Sequence, residues 1–137
     1  MGSYARLLGR PGFDPGNVVC EVEGGVEHGP ADGAPLERAD HGVLALLVRH
    51  ELGWVAPPAR ANQGAGWIQA AWVVGWALDT GELTVDYRPP PILVHHHRPE
   101  RVELRHTDAQ RLRIAADPTE LAAFVARASS VLRPPPT

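Results

Sequence analysis

The chain has 137 residues, of which 44% are hydrophobic and 21% charged, and a formal net charge of −3, the composition of one domain with a modest core. Its single cysteine, Cys20, excludes an internal disulfide and a CxxC zinc site. The absence of lysine excludes Schiff-base chemistry and a P-loop nucleotide site.

The amino-acid usage also indicates origin and location. All basic residues other than histidine are arginine, and with 14 glycines and 14 prolines this is typical of a bacterium with GC-rich codons. The longest apolar stretch, 70–78, is too short to cross a bilayer, and the first residues lack the apolar run of a secretory signal. We therefore expect a cytoplasmic protein that does not interact with membranes.

The first third of the chain predicts a loose segment, a strand and a helix. Turn-forming glycines and prolines in residues 1–16 predict a loose N-terminal arm. Residues 18–23 predict a strand, and residues 28–35 a loop. Residues 40–52 predict a helix, because Val43, Leu44 and Leu47 recur at helical spacing after Asp40, a good N-cap.

The middle of the chain predicts a contact loop and a central hairpin. Residues 59–66 are small and polar, which favours a mobile loop. Residues 67–78 have an apolar row at every second position and predict a strand buried on both faces, with Trp72 and Trp76 in the core. After a turn at 79–81, residues 82–88 return as a strand.

The last third predicts a hairpin and a closing helix. Residues 101–105 and 111–114 alternate apolar and charged side chains, and same-face pairing predicts a hairpin with Leu104 opposite Leu112. Residues 117–120 (Asp-Pro-Thr-Glu) predict the start of a helix over 118–132. The fold expected from these elements is α+β: an antiparallel sheet of about five or six strands with two helices, forming one domain over 17–133, with a disordered tail over 134–137.

Three consecutive histidines are the only local cluster that could carry chemistry. His95 and His97 of the predicted strand point to one face and His96 to the other, so the first two could bind one transition metal ion. A third ligand would have to come from Glu100, Glu103, His106 or a distant histidine: His28, His41 or His50. The alternatives are exposed histidines without a ligand, or a pH-sensing role.

Two further groups of side chains are candidate binding residues. Trp54 and Trp67 flank the predicted contact loop, and tryptophan is enriched at interfaces. The predicted hairpin would carry four arginines on one face: Arg101, Arg105, Arg111 and Arg113. Residues 1–87 hold 11 acids and 5 arginines, whereas residues 88–137 hold 5 acids and 8 arginines, so the second part could attract an anion.

These observations give one leading hypothesis and two alternatives. The leading hypothesis is a small binding or adaptor domain without catalysis or cofactor, which contacts a partner protein or associates with itself. The first alternative is a metal-dependent or histidine-dependent enzyme that uses the His95–His97 cluster. The second is a regulator that binds nucleic acid through the arginine hairpin, which the sequence pI of about 6.1 disfavours.

Overall fold

Nine strands and two α-helices make up the regular structure of residues 2–60 and 63–132, the part of the chain that the computed structural model describes. Two single turns of 3₁₀-helix lie at Pro15–Asn17 and Ala70–Trp72. The helices and strands are, in chain order, α1 (Ser3–Leu8), β1 (Val18–Pro30), β2 (Glu37–Leu47), β3 (Glu51–Arg60), β4 (Gln63–Gln69), β5 (Val73–Asp79), β6 (Glu82–Tyr87), β7 (Ile92–His97), β8 (Glu100–Arg105), β9 (Gln110–Ala115) and α2 (Pro118–Arg127).

Seven strands form one antiparallel sheet in the order β4-β3-β2-β1-β9-β6-β5. Strands β7 and β8 pair only with each other and form a separate two-stranded unit, which we call the ribbon (residues 92–105). The expected mostly antiparallel sheet with two helices is therefore confirmed at this level, whereas the number of strands exceeds the expected five or six.

The connection between the two edge strands shows that the large sheet curls. Only the 3₁₀ turn Ala70–Trp72 joins β4 to β5, so the strand ends lie no more than about 15 Å apart. In a flat sheet six spacings of about 4.8 Å would separate these edges. The sheet therefore curls into an open barrel, which brings Ile68 of β4 and Trp76 of β5 to the same apolar core.

The main core fills the inner face of this barrel. It follows the period-two alternation of each strand, so that β6 buries Leu83, Val85 and Tyr87 while the residues between them are half-exposed. Helix α2 adds Leu121 and Phe124 to the same core. Its start is confirmed, because the Asp117 carboxylate accepts a hydrogen bond from the Glu120 backbone N–H at 3.0 Å.

A second, smaller core lies on the outer face of β2 and β3, under α1. Tyr4 is fully buried there, and its ring lies against Gly53, where any side chain would collide with the phenol. The Glu21 carboxylate accepts hydrogen bonds from the backbone N–H groups of Ser3 and Tyr4, at 2.7 and 2.9 Å. Residues 3–8 are thus a packed helix rather than part of a loose arm, and Gly9 ends the helix in the left-handed conformation.

The helix predicted over 40–52 is wrong. This segment is the second half of β2, a turn at 48–50 and the start of β3. Residues 43–47 are all buried because one sheet face meets the main core and the other meets α1, so a helical stripe could be drawn through a run that is apolar on every side. His50 adopts the left-handed conformation at the turn (φ 59°).

The single central strand predicted over 67–78 is also wrong. The segment is divided between β4, the 3₁₀ turn and β5, which lie at opposite edges of the sheet. Trp72 and Trp76 are half-buried and pack against the main core, but Trp72 lies in the 3₁₀ turn, so the two do not share one strand. The limits of the domain and the tail over 134–137 stay predictions, and the tail lies outside the described residues.

Candidate functional site

The ribbon projects from one end of the barrel. It is inserted between β6 and β9, after Pro89-Pro90-Pro91 and before residues 106–109. The Thr107 hydroxyl donates to the Pro90 carbonyl at 3.3 Å, and the Ala31 N–H donates to the Ala109 carbonyl at 2.9 Å. These bonds place the base of the ribbon beside the loop after β1, at the end of the barrel where β1 ends and β2 begins.

One face of the ribbon is apolar and open to solvent. The register places Leu93 opposite Leu104 and His95 opposite Val102, so these four side chains adjoin on one face. The exposed fractions of the large apolar side chains are 55% for Ile92, 64% for Leu93, 59% for Val102 and 54% for Leu104. Leu93, Val102 and Leu104 therefore form a continuous exposed patch, which we call the ribbon patch.

The other face of the ribbon is charged. His96 Nε2 lies 2.8 Å from the Glu103 carboxylate, and Arg105 lies 3.5 Å from the same carboxylate. Arg101 shares this face because it pairs directly with His96. Ile92 and Val94 also lie on this face, opposite Arg105 and Glu103, so the charged side chains are mixed with two apolar ones.

The structure places His95 and His97 on one ribbon face, as the sequence predicts, and His96 on the other. His95 and His97 are exposed, and their cross-strand neighbours are Val102 and Glu100. Glu103, one of the predicted third ligands, bonds to His96 instead. Within residues 2–60 and 63–132 no group of three histidine, cysteine or acidic side chains is placed to hold a metal ion.

The predicted hairpin between residues 101–105 and 111–114 does not form. Strand β8 pairs with β7, whereas β9 pairs with β1 and β6, so Leu112 lies opposite His28 and Val85 instead of Leu104. The prediction required only that apolar residues of paired strands share a face. Several strands in this chain alternate apolar and polar residues in the same way, so this requirement could not identify the strand that pairs with β8.

The four arginines of that hairpin are consequently separated into two pairs. Arg101 and Arg105 lie on the ribbon, while Arg111 and Arg113 lie on the barrel. The Asp86 carboxylate accepts two hydrogen bonds from Arg111, at 2.8 and 3.0 Å, and raises the pKa of that guanidinium. Arg113 contacts the carboxylates of Glu27 and Glu82, each at 3.3 Å. Acids on neighbouring strands therefore balance the positive charge expected to bind an anion.

The two candidate tryptophans are not brought together either. Trp54 faces the barrel interior and is buried, whereas Trp67 lies on the outer face with the Arg10 guanidinium 5.0 Å from its ring centre. Trp54 and Trp67 lie on opposite faces of the sheet because Gly66 pairs with Trp54 and Gly53 pairs with Trp67. The predicted contact loop over 59–66 belongs largely to β3 and β4, and residues 61–62 lie outside the described part of the chain.

A cavity of about 340 Å³ opens at the mouth of the barrel, at the same end as the ribbon. Its lining includes His28, Glu37, Trp54 and small apolar residues of β3 and β4. Cavities in barrel mouths of this size can hold small molecules. The loop predicted over 28–35 includes His28, which the structure places in β1, because no local pattern in the sequence marks the end of that strand.

Inside this mouth, His28 belongs to a buried cluster of rings. His28 Nε2 lies 2.8 Å from the Tyr87 hydroxyl, and the His28 and Trp54 ring centres are 4.3 Å apart. Burial lowers the pKa of His28, and Glu37 opposes this only in part. Burial also raises the pKa of Tyr87 to about 12. Trp54 Nε1 is buried and has no hydrogen-bond partner among the described residues. It lies near the Tyr87 hydroxyl, and this proximity opposes part of the rise in the pKa of Tyr87.

The barrel mouth and the ribbon differ in how their groups are already paired. The imidazole and the phenol in the barrel mouth already bond to each other, while the two ribbon strands pair only with each other among the described residues. In the described part of the chain no helix is long and apolar enough to cross a membrane.

Comparisons with protein-family models, curated proteins and solved structures find no match to this chain.

Proposed function

We propose that this protein is a non-catalytic binding domain that contacts a partner protein through its ribbon, and that it acts in the cytoplasm. The observation that carries the proposal is the ribbon patch, in which three large apolar side chains are each more than half exposed on a unit outside the main sheet. Contiguous exposed apolar surface of this kind is typical of interaction sites.

The ribbon has a physical reason to need a partner. A two-stranded hairpin is marginally stable in water, and it gains stability when further strands or a packed face are added. Transfer of a leucine or valine side chain from water to an interface contributes about 1.5–3 kcal/mol when burial is complete. A partner that adds a strand to the ribbon and contacts Val102 and Leu104 would supply part of this stabilisation, and the surrounding charges would orient it.

The remaining features agree with a binding role and need no cofactor. The barrel supplies a rigid base, and the prolines before β7 restrict the motion of the ribbon relative to it. The one cysteine means that the fold does not depend on an oxidising compartment, which suits the cytoplasm.

The proposal can be tested by site-specific photo-crosslinking in cells. A photoreactive residue at position 102, where Val102 is 59% exposed, should crosslink a defined protein, while the same residue at position 74 should not. Val74 is a matched control because its side chain is 62% exposed but lies on β5, outside the ribbon. The crosslinked protein, once purified, should bind the wild-type chain in solution.

The double variant Val102→Ser/Leu104→Ser should weaken that binding by about tenfold or more, whereas Val74→Ser should leave it unchanged. All three substitutions are at exposed positions, so thermal unfolding should change little. Equal crosslinking from positions 74 and 102, or full affinity in the double variant, would rule out the ribbon as the contact surface.

A further inference from the structure

The outer edge of β8 lacks the features that usually prevent strands from pairing with other chains. The six residues Glu100–Arg105 contain no proline, glycine or bulge, and they pair with β7 in unbroken register. In comparison, β5 has an irregularity between Val73 and Gly75, and β4 contains Gly64 and Gly66. Proteins protect free edges with such irregularities, prolines or charges, so only the charges of β8 remain as protection.

Those charges are complementary to a second copy of the same strand. If two β8 strands pair antiparallel about a two-fold axis at Val102, Arg101 of each copy lies opposite Glu103 of the other. Pairs of opposite charge directly across two strands stabilise the pairing. Both pairs lie on the ribbon's charged face, while the two Val102 side chains meet on the apolar face and join the two ribbon patches.

Other registers are less favourable for the same residues. An axis at Glu103 would place the two Glu103 carboxylates opposite each other and Arg101 opposite Arg105, and like charges in these positions destabilise a sheet. An axis at Leu104 would pair only residues 103–105 of each β8. A shift by one residue would place Val102 beside Glu103 and mix the apolar and charged faces.

We propose that the partner of the ribbon is a second copy of this chain, and that the two β8 strands pair antiparallel around Val102. The result is a four-stranded sheet in the order β7-β8-β8-β7, in which the two Val102 side chains adjoin on one face and Leu104 of each copy lies opposite Glu100 of the other. This inference rests on the proposed function, because it names the partner for the same ribbon. A two-fold symmetric contact between identical surfaces is the commonest arrangement in protein oligomers.

A charge-swap experiment on the full chain tests this register. Sedimentation equilibrium should show a dimer of the wild-type chain, and Arg101→Glu or Glu103→Arg alone should raise the dimer dissociation constant about tenfold or more, because each creates two like-charge pairs. The double variant Arg101→Glu/Glu103→Arg restores opposite charges and should recover the dimer. Arg98→Glu is the control, since it makes the same change of charge at an exposed position in the turn between β7 and β8, beyond the paired residues.

A disulfide trap gives a second, independent measurement. In a Cys20→Ser background, Val102→Cys should form a covalent dimer on mild oxidation, because facing Cβ atoms across an antiparallel pair lie about 4.5–5.5 Å apart. Leu93→Cys is the matched control: it lies on the same ribbon face, but three strand spacings of about 4.8 Å would separate it from its copy. Circular dichroism should confirm that every variant remains folded.

A dimer that the charge swap does not recover, or that Arg98→Glu abolishes, would overturn the proposed register. A chain that stays monomeric at all concentrations would overturn self-pairing altogether. Failure of the proposed function is a different result: it is equal crosslinking from positions 74 and 102. A monomer that crosslinks another protein specifically from position 102 would refute this inference and leave the binding role intact.

Discussion

His28 and Tyr87 bond to each other across a strand that separates them. His28 lies on β1 and Tyr87 on β6, with β9 between the two strands, yet His28 Nε2 lies 2.8 Å from the Tyr87 hydroxyl. Leu112 of β9 is the direct neighbour of His28 in the register, and it is buried beneath the pair. The two side chains therefore span the concave face and tie β1 to β6 at the mouth of the barrel.

The lowered pKa of His28 predicts a loss of stability in mild acid. Above its ordinary value of 6.5 the imidazole is neutral in both the folded and the unfolded chain. As the pH falls below this value, the unfolded chain binds the proton first, so the free energy of unfolding decreases until the pH reaches the lower pKa of the folded state. His28→Gln should remove this decrease, measured by urea unfolding at a series of pH values.

Two controls keep the interpretation specific. Tyr87→Phe should retain the acid sensitivity, because burial rather than the phenol is the first cause of the lowered pKa. Glu23 also has a lowered pKa, from its hydrogen bonds with Ser3 and His41, but its contribution is lost only below its ordinary value of 4.5. A His28→Gln chain that loses stability as steeply as the wild type above pH 4.5 would contradict the prediction.

Tyr87 predicts the opposite dependence in alkali. Burial raises its pKa from 10.0 to about 12, so its contribution to stability is complete below pH 10 and is lost as the pH rises toward 12. The loss amounts to at most roughly 3 kcal/mol for one tyrosine. Tyr87→Phe should be less stable than the wild type at neutral pH, because a hydrogen bond is lost, but should show a shallower alkaline decrease. Urea unfolding at about pH 9 and about pH 11 measures both.

Tyr4 should behave in the same way, since burial also raises its pKa to about 12. Tyr4→Phe therefore provides a second alkaline comparison from the other core. If both phenylalanine variants lost as much stability as the wild type between pH 10 and 12, the alkaline sensitivity would have another source.

Local chemistry was enough to predict some elements. Asp117 and Glu120 identify the start of α2 because an N-cap depends only on neighbouring residues. Leu83, Val85 and Tyr87 identify the buried face of β6 because one face meets the core and the other does not. In both cases the determining contacts lie within a few residues along the chain or on a single sheet face.

The errors arose where distant parts of the chain decide the structure. Leu44 and Leu46 face the main core while Val43 and Ala45 face α1, so the segment is apolar on both sides and its period cannot be read locally. The partner of β8 depends on whether residues 92–97 form a strand of their own ribbon, and the alternation in residues 101–105 fits either choice. His28 acquires its neighbours Trp54 and Tyr87 only through the curl of the sheet.

The exposed histidines of the ribbon give a prediction about metal binding. His95 and His97 provide two imidazoles on one exposed face, and no described side chain completes a set of three ligands there. Zinc binds tightly when three or four protein ligands surround it. We therefore expect that neither zinc nor a chelator changes the melting temperature of the purified chain. One equivalent of metal that is lost in His97→Ala but retained in His96→Ala would show that the site exists.

The last prediction concerns the close approach of Gly66 to Trp54. A Cβ at position 66 would lie 2.7 Å from Trp54 Nε1 and 3.0 Å from Cε2, so the buried indole would have to move. Gly66→Ala should therefore destabilise the fold by about 1–3 kcal/mol, the usual cost of overpacking. Gly75→Ala is the matched control, because no atom lies within 4 Å of the added Cβ and neither glycine has a positive φ.

Urea unfolding followed by tryptophan fluorescence measures these differences, and a double-mutant cycle assigns their cause. In a Trp54→Phe background the smaller ring leaves room at position 66, so Gly66→Ala should cost less there than in the wild-type chain. An equal cost in both backgrounds would mean that the alanine acts through the β4 backbone rather than through the indole. Equal stability of Gly66→Ala and Gly75→Ala would show that Trp54 does not require the glycine.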